Sequence, residues 1–303
     1  VTLWTELIQT PHQLSYVDAG GVRTRTLTAG AGAGETVVFL HGISGHLEVY
    51  VPTIAAHAAD FEVHAIDMLG HGYTEKPLEP YTIASYVDHV IAYMDAVGIE
   101  RAHISGLSLG GWVTAYLAAT HPERVLSATL TCSAGSPAMA DPKISAMIRK
   151  MTGDAIVNDD IALTRQRMEM LFAQPSRATD EIVDMRYQIY HQPDLRAALE
   201  SLLALTDLDL YRQWMLTPEI LSTINTEVLI LWSEDDAISE VRGAGRFVEN
   251  IPANKLVLFP DCGHWPPFEQ PELFSRYSTA FLKGGLAAVP AELTRTLDPN
   301  AVG

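Results

Sequence analysis

The chain has 303 residues, 48% of them hydrophobic and 19% charged, a composition that supports a large core and fits one α/β domain carrying an insertion. Its formal net charge of −17 argues against nucleic acid and anionic membrane surfaces as partners, while a small organic anion stays compatible because one placed arginine sets the local potential of a cleft. The only cysteines, Cys132 and Cys262, exclude a disulfide framework, lack metal-ligand spacing, and read as small buried residues in a reducing cytoplasm.

No run approaches the roughly 18–20 apolar residues of a membrane span. The first residues, Val1 to Glu6, show no basic stretch followed by an apolar core, so no signal peptide is expected, although the chain begins without methionine. Leu14–Asp18 and Val22–Leu27 alternate around Ala19-Gly20-Gly21, which predicts an antiparallel hairpin at a sheet edge. Ala29 to Gly34 reads as a flexible connection. An apolar strand, Val37–Leu40, then leads into His41-Gly42-Ile43-Ser44-Gly45, and a second, Val63–Ile66, leads into Asp67-Met68-Leu69-Gly70-His71-Gly72. His41, His46 and His71 read as structural or pocket-lining residues, since none belongs to a helical pair of zinc-ligand spacing.

Thr82 to Val97 has the apolar period of an amphipathic helix, with Gly98 just past its end. Ala102–Ser105 reads as a short buried strand followed by Gly106-Leu107-Ser108-Leu109-Gly110, and Trp112, Ala115, Tyr116 and Ala119 then recur at helical spacing. This is the G-x-S-x-G pattern, in which small residues let a strand-to-helix turn bend tightly around an exposed serine. Val125–Cys132 is another buried strand. From about Ser136 to Pro218 the strand signal disappears and seven of the nine methionines cluster, Met139 among them; this predicts a helical cap whose methionines adapt to apolar groups or simply pack its helices.

Val228–Trp232 is a continuous apolar run that ends in Ser233-Glu234-Asp235-Asp236, and Leu256–Phe259 ends in Pro260-Asp261-Cys262-Gly263-His264-Trp265. A serine hydroxyl is a weak nucleophile at neutral pH and needs a histidine to take its proton and a carboxylate to orient that histidine. All three types therefore stand at ends of strands, where open α/β sheets place their sites. On residue types alone, Glu234, Asp235 and Asp236 each qualify as the acid. Gly284 to Gly303 has no periodicity and reads as a mobile or surface-draped tail.

These motifs, in this order, resemble the α/β-hydrolase family over about residues 14–283. Within it, Gly263-His264-Trp265, the spacing from Asp236 to His264, and Arg186-Tyr187 are similar to hydrolases that cleave ring-fission products of aromatic degradation at a carbon–carbon bond. Monoalkyl phthalate esterases are a related, ester-cleaving group. The resemblance implies a mostly parallel eight-stranded sheet flanked by helices, with core residues 1–135 and 219–283, a cap over 136–218 and a tail over 284–303. It implies Ser108 as nucleophile, His264 as base, Asp236 as its orienting acid, and the backbone N–H groups of Ile43 and Leu109 as oxyanion donors, with neither metal nor cofactor.

Arg186 is expected to bind a substrate carboxylate, or else to make a surface ion pair with Glu181 or Asp184. Ser44 either offers its hydroxyl to the site or satisfies its own turn, and Trp265 either shapes the pocket or packs behind the histidine. Leu107 stands where the ring-fission hydrolases carry asparagine, and Gly42-Ile43-Ser44-Gly45 replaces their Gly- and Pro-rich loop. An ester needs no protonation of carbon, so these departures favour a carboxylic-ester hydrolase acting on a carboxylate-bearing aromatic monoester. Carbon–carbon cleavage is the alternative, and a non-catalytic small-molecule receptor a remote third. The expected location is the cytoplasm, and the sequence leaves a homodimer open.

Overall fold

The computed structural model describes residues 2–137 and 140–296, so Met139 and the last seven residues of the expected tail lie outside the described residues. Nine strands form one sheet: β1 (His12–Ala19), β2 (Val22–Ala29), β3 (Thr36–Leu40), β4 (Glu62–Ile66), β5 (Ala102–Leu107), β6 (Val125–Thr131), β7 (Val228–Ser233), β8 (Asn254–Phe259) and β9 (Thr294–Arg295). Their order is β1-β2-β4-β3-β5-β6-β7-β8-β9, parallel from β4 through β8 and antiparallel at both ends. β5 and β7 are buried at every position, which is why β7 reads as a nearly continuous apolar run rather than as alternation; β5 keeps the buried polar residues His103 and Ser105. The hairpin turn falls at Gly20 and Gly21, both with positive φ.

The helices of the sheet's two faces are α1 (Val51–Ala58), α2 (Ile83–Ala96) and α3 (Leu109–Thr120) before the insertion. Between β6 and β7 the described chain is entirely helical or irregular: α4 (Pro142–Val157), α5 (Ile161–Glu169), α6 (Asp180–Tyr190), α7 (Pro193–Ala197), α8 (Leu199–Leu202), α9 (Leu208–Trp214) and α10 (Pro218–Ser222). α11 (Arg242–Asn250), α12 (Pro266–Glu269) and α13 (Pro271–Ala288) complete it. The start of α2 is fixed chemically: the Thr82 hydroxyl accepts from the Ser85 N–H, satisfying a helix-start donor that otherwise has no partner. Among the described residues no helix is long and apolar enough to cross a membrane.

Two expectations need correction. The sheet has nine strands rather than eight, and the extra one lies inside the segment read as a loose tail. After a kink at Gly284 and Gly285 the helix resumes to Ala288, Val289 is buried, the Leu293 N–H donates to the Tyr277 hydroxyl at 3.2 Å, and Thr294–Arg295 pairs with Leu256 and Val257. A two-residue strand has no period to detect, and the glycine pair reads as a stop.

Strand order reverses around β3, which lies between β4 and β5. Such a switch point opens a crevice beyond the strands' carboxyl ends. The loops after β3, β5, β7 and β8 all reach this end, and α4 and α5 supply side chains to the cavity that forms there.

Candidate active site

Ser108 caps β5 with φ 56° and ψ −112°, a conformation that side chains rarely adopt and that costs about 1–3 kcal/mol. Surroundings hold it there. Its N–H donates to the Thr131 carbonyl at 2.9 Å, and its carbonyl accepts from Trp112 and Ala134, each at 3.0 Å. The glycines of the motif are a packing requirement, because a Cβ on Gly110 would stand 2.1 Å from the Leu40 carbonyl. β3, β5 and α3 thereby come close enough for the loop after β3 to face the serine.

In that loop Ile43 lines both cavities that reach Ser108, and Leu109 is the first residue of α3, whose leading N–H groups have no partner within the helix. Neither N–H has a backbone acceptor among the described loop contacts. Both are thus free to meet a negatively charged oxygen. Ser44, at φ 53°, makes two bonds to the insertion that the sequence did not indicate: its hydroxyl accepts from Tyr190 at 3.0 Å, and its carbonyl accepts from Arg186.

β7 delivers three acids, and the structure separates them. Glu234 and Asp235 are exposed, whereas Asp236 is buried. Its Oδ1 accepts from the Ile238 and Ser239 N–H groups at 2.8 and 2.9 Å, and its Oδ2 faces His264 Nδ1 at 2.7 Å. With both Oδ1 bonds fixed, only Oδ2 is left for the histidine, and it holds the proton on Nδ1. His264 and Ser108 line the same cavity. Gly263 lacks a side chain because the insertion passes there, and a Cβ would stand 2.5 Å from the Ala173 nitrogen; the His264 N–H donates to the Leu171 carbonyl at 2.7 Å. Cys132 Sγ completes the one group of potential metal ligands found among the described residues, with Asp236 and His264, but the Asp–His bond already engages two of its three members.

The other histidines have structural partners. His41 donates from Nδ1 to the Gly42 carbonyl at 2.8 Å and accepts at Nε2 from the Met68 N–H at 3.0 Å, and burial pushes its pKa well below the usual value. His71 bonds the Leu69 carbonyl and His46 bonds Glu48.

Two cavities meet at Ser108, and both are also lined by Ile43, Ile148 and Ile238. One adds Leu107, Arg167, Leu171, His264 and Trp265 and has about 20 Å³ of free space, close to the room of one water molecule. The other is apolar, adds Leu109, Trp112, Leu205 and Tyr211, and has about 60 Å³. A substrate with a polar end and an apolar end would span the serine, with the insertion closing over it.

Arg186 is buried and makes neither of the ion pairs foreseen for it. Glu181 instead accepts from the Leu3 N–H. The Arg186 guanidinium lies 5.2 Å from the Trp265 ring and 5.3 Å from that of Tyr190, while its Nε and Nη2 have no partner. It stands beside the Ser108 cavity, behind Trp265, rather than on its wall. Arg167 is on that wall, and sequence reading missed it: on α5 nothing in composition or spacing separates it from Arg165, which pairs with Asp180 at the surface.

A family model described as the alpha/beta hydrolase fold matches residues 35–271. The chain belongs to the α/β-hydrolase family. It is 28% identical over 278 residues to a 2-hydroxymuconate semialdehyde hydrolase of Pseudomonas putida, covering 90% of this chain and 95% of the other. Among solved structures, the 2-hydroxy-6-oxo-6-phenylhexa-2,4-dienoate hydrolase of Rhodococcus sp. strain RHA1 matches with a TM-score of 0.82 at 24% identity, over 91% of this chain and 100% of that one. The meta-cleavage product hydrolase of Pseudomonas fluorescens IP01 matches with a TM-score of 0.77 at 28% identity, over 89% and 97%. This α/β-hydrolase is an enzyme of the hydrolase class and resembles the ring-fission group.

Proposed function

We propose that this chain is a serine hydrolase of a small carbonyl compound with a free carboxylate, and that the bond it cuts is the carbon–carbon bond of a ring-fission product. The observation that carries the carboxylate is Arg186, a buried guanidinium with two unpartnered nitrogens beside the cavity of Ser108 and His264. A buried cation with no counter-charge is costly unless a ligand supplies one. Relatives named as meta-cleavage product and 2-hydroxymuconate semialdehyde hydrolases support the choice of bond.

In this reading His264, fixed as the Nδ1–H tautomer by Asp236, takes the Ser108 proton at Nε2. Ser108 Oγ attacks the carbonyl carbon, and the Ile43 and Leu109 N–H groups receive the charge on its oxygen, each worth about 3–4 kcal/mol. His264 returns the proton to the leaving group, which for the carbon–carbon reaction is a carbon. Water then releases the acid.

One observation favours the second reading, ester hydrolysis. Leu107 is fully buried on the cavity wall beside Ser108, and an apolar group there cannot manage the charge of a dienolate, whereas an ester does not ask it to. A paired turnover assay on one sample decides: bleaching of a coloured ring-fission dienolate against acid release from a phthalate monoester, with Ser108→Ala as the blank. Faster loss of the dienolate supports the carbon–carbon reading. Turnover of the monoester with a persisting dienolate replaces it with the ester reading, and turnover unaffected by Ser108→Ala removes both.

A further inference from the structure

Arg186 has been given to the substrate carboxylate, but it is one of two. Arg167, on α5, is 3% exposed and lines the cavity together with Ser108, His264 and Trp265. Its Nε donates to the Thr152 hydroxyl at 3.0 Å, and its Nη1 is buried with no partner. No carboxylate of the described residues pairs with either arginine, although nearly all the other arginines of the insertion do pair, as Arg149 does with Glu200, Arg165 with Asp180 and Arg177 with Asp261. Tyr190 feels both: burial alone would raise its pKa, and Arg186 and then Arg167 bring it below the ordinary value.

Two guanidiniums without a carboxylate partner therefore lie near Ser108, Arg167 on the cavity wall and Arg186 against Trp265, inside a chain whose formal net charge is −17. Removing a guanidinium from water without a counter-ion costs several kcal/mol. Burial is the main effect that lowers the Arg167 pKa, Tyr190 partly opposes it, and the nearby Arg186 adds repulsion. One carboxylate would neutralise one of them.

We propose that Arg167 forms a second anion subsite, distinct from the carboxylate contact of Arg186, so that the enzyme selects small organic dianions: molecules with a carboxylate and a second ionised oxygen. The inference rests on the assignment of Arg186 to a substrate carboxylate. A ring-fission product in its enolate form has both charges; a monoester has one. Arg167, lying on the same cavity wall as Ser108, would hold the second charge near the carbon that is attacked.

Calorimetric titration of the Ser108→Ala protein at pH 8 tests this, with phthalate as the dianion and benzoate as the monoanion of the same ring. Phthalate is expected to bind at least 10-fold more tightly than benzoate. Arg167→Met should erase that ratio while leaving benzoate affinity within about twofold, Arg167→Lys should restore part of it, and Arg186→Met should weaken both ligands. Equal affinities in the Ser108→Ala protein would overturn the proposal without recourse to any arginine variant, so it stays testable even if Arg167→Met does not fold. Equal loss of both ligands in Arg167→Met would overturn it too. If Arg186→Met changes neither ligand while the phthalate preference depends on Arg167, the subsite stands and the carboxylate role of Arg186 falls. If monocarboxylate substrates are hydrolysed with no dianion preference, that role stands and the subsite falls.

Discussion

Gly106 and Gly110 stand back to back across the turn that holds the serine, so close that a Cβ on Gly106 would meet the Gly110 carbonyl oxygen at 2.0 Å. The obstacle is backbone, which has no rotamer to move away. Gly106→Ala is expected to cost about 1–3 kcal/mol, the usual range for overpacking, and to displace Ser108, reducing kcat by at least about 10²-fold. Urea midpoints together with steady-state rates check both parts. A variant of unchanged stability would mean that the turn is more tolerant than its geometry states.

Asp236→Asn separates geometry from charge. Oδ1 accepts two N–H groups, so the asparagine oxygen must take that side and its NH₂ must face His264. A donor at that position forces the imidazole to put its proton on Nε2, where it can no longer accept one from Ser108. The expected loss is about 10⁴-fold in kcat with little change in KM. Loss confined to KM would contradict the tautomer argument.

Stability should fall in mild acid. Burial holds His46, His57 and His89 at about 4 and His71 at about 3 in the folded state, against 6.5 for a free histidine. The unfolded chain therefore binds more protons between those values, so this contribution is complete above pH 6.5 and is lost as pH falls toward 4. Asp67, which burial raises to about 6, acts with the opposite sign and only partly offsets several histidines. His57 lies away from the serine, bonded to the Thr53 carbonyl and Ser278. His57→Gln should reduce the slope of unfolding free energy against pH by up to one proton between pH 6 and 5. An unchanged slope in urea titrations would refute its part.

Arg25 bridges two buried carboxylates, reaching Glu48 at 2.5 Å and Asp67 at 3.2 Å. Arg25→Met would leave both without their cation. About 3–5 kcal/mol of stability should be lost, measurable as a lower denaturant midpoint. Double replacement of Arg25 and Glu48 by apolar residues should cost less than the sum of the two single changes.

The sheet and the relation of Ser108, Asp236 and His264 were legible in the sequence because the physics that makes them leaves marks. A strand buried on both faces tends to a continuous apolar run, as Val228–Trp232 of β7 shows, and a turn that tight must be flanked by glycine. Other features left no mark. The role proposed for Ile43 and Leu109 rests on backbone groups common to every residue. Arg167 and Arg165 are two positions apart on one helix, and only the docking of α5 decides which of them turns inward. Ser44 points to Tyr190, 146 residues away, a distance that no local pattern spans. β9 was missed because pairing with β8, rather than any period of its own, makes it a strand.

Ser44 is held at its positive φ by bonds to Arg186 and Tyr190, both on α6, and it directly follows Ile43, the expected oxyanion donor. The peptide expected to receive the developing charge is thus tethered, one residue away, to a helix of the insertion rather than to the sheet. Any shift of α6 against the sheet would release Ser44 from both contacts, so the seating of the insertion and the shape of the loop after β3 are one mechanical unit.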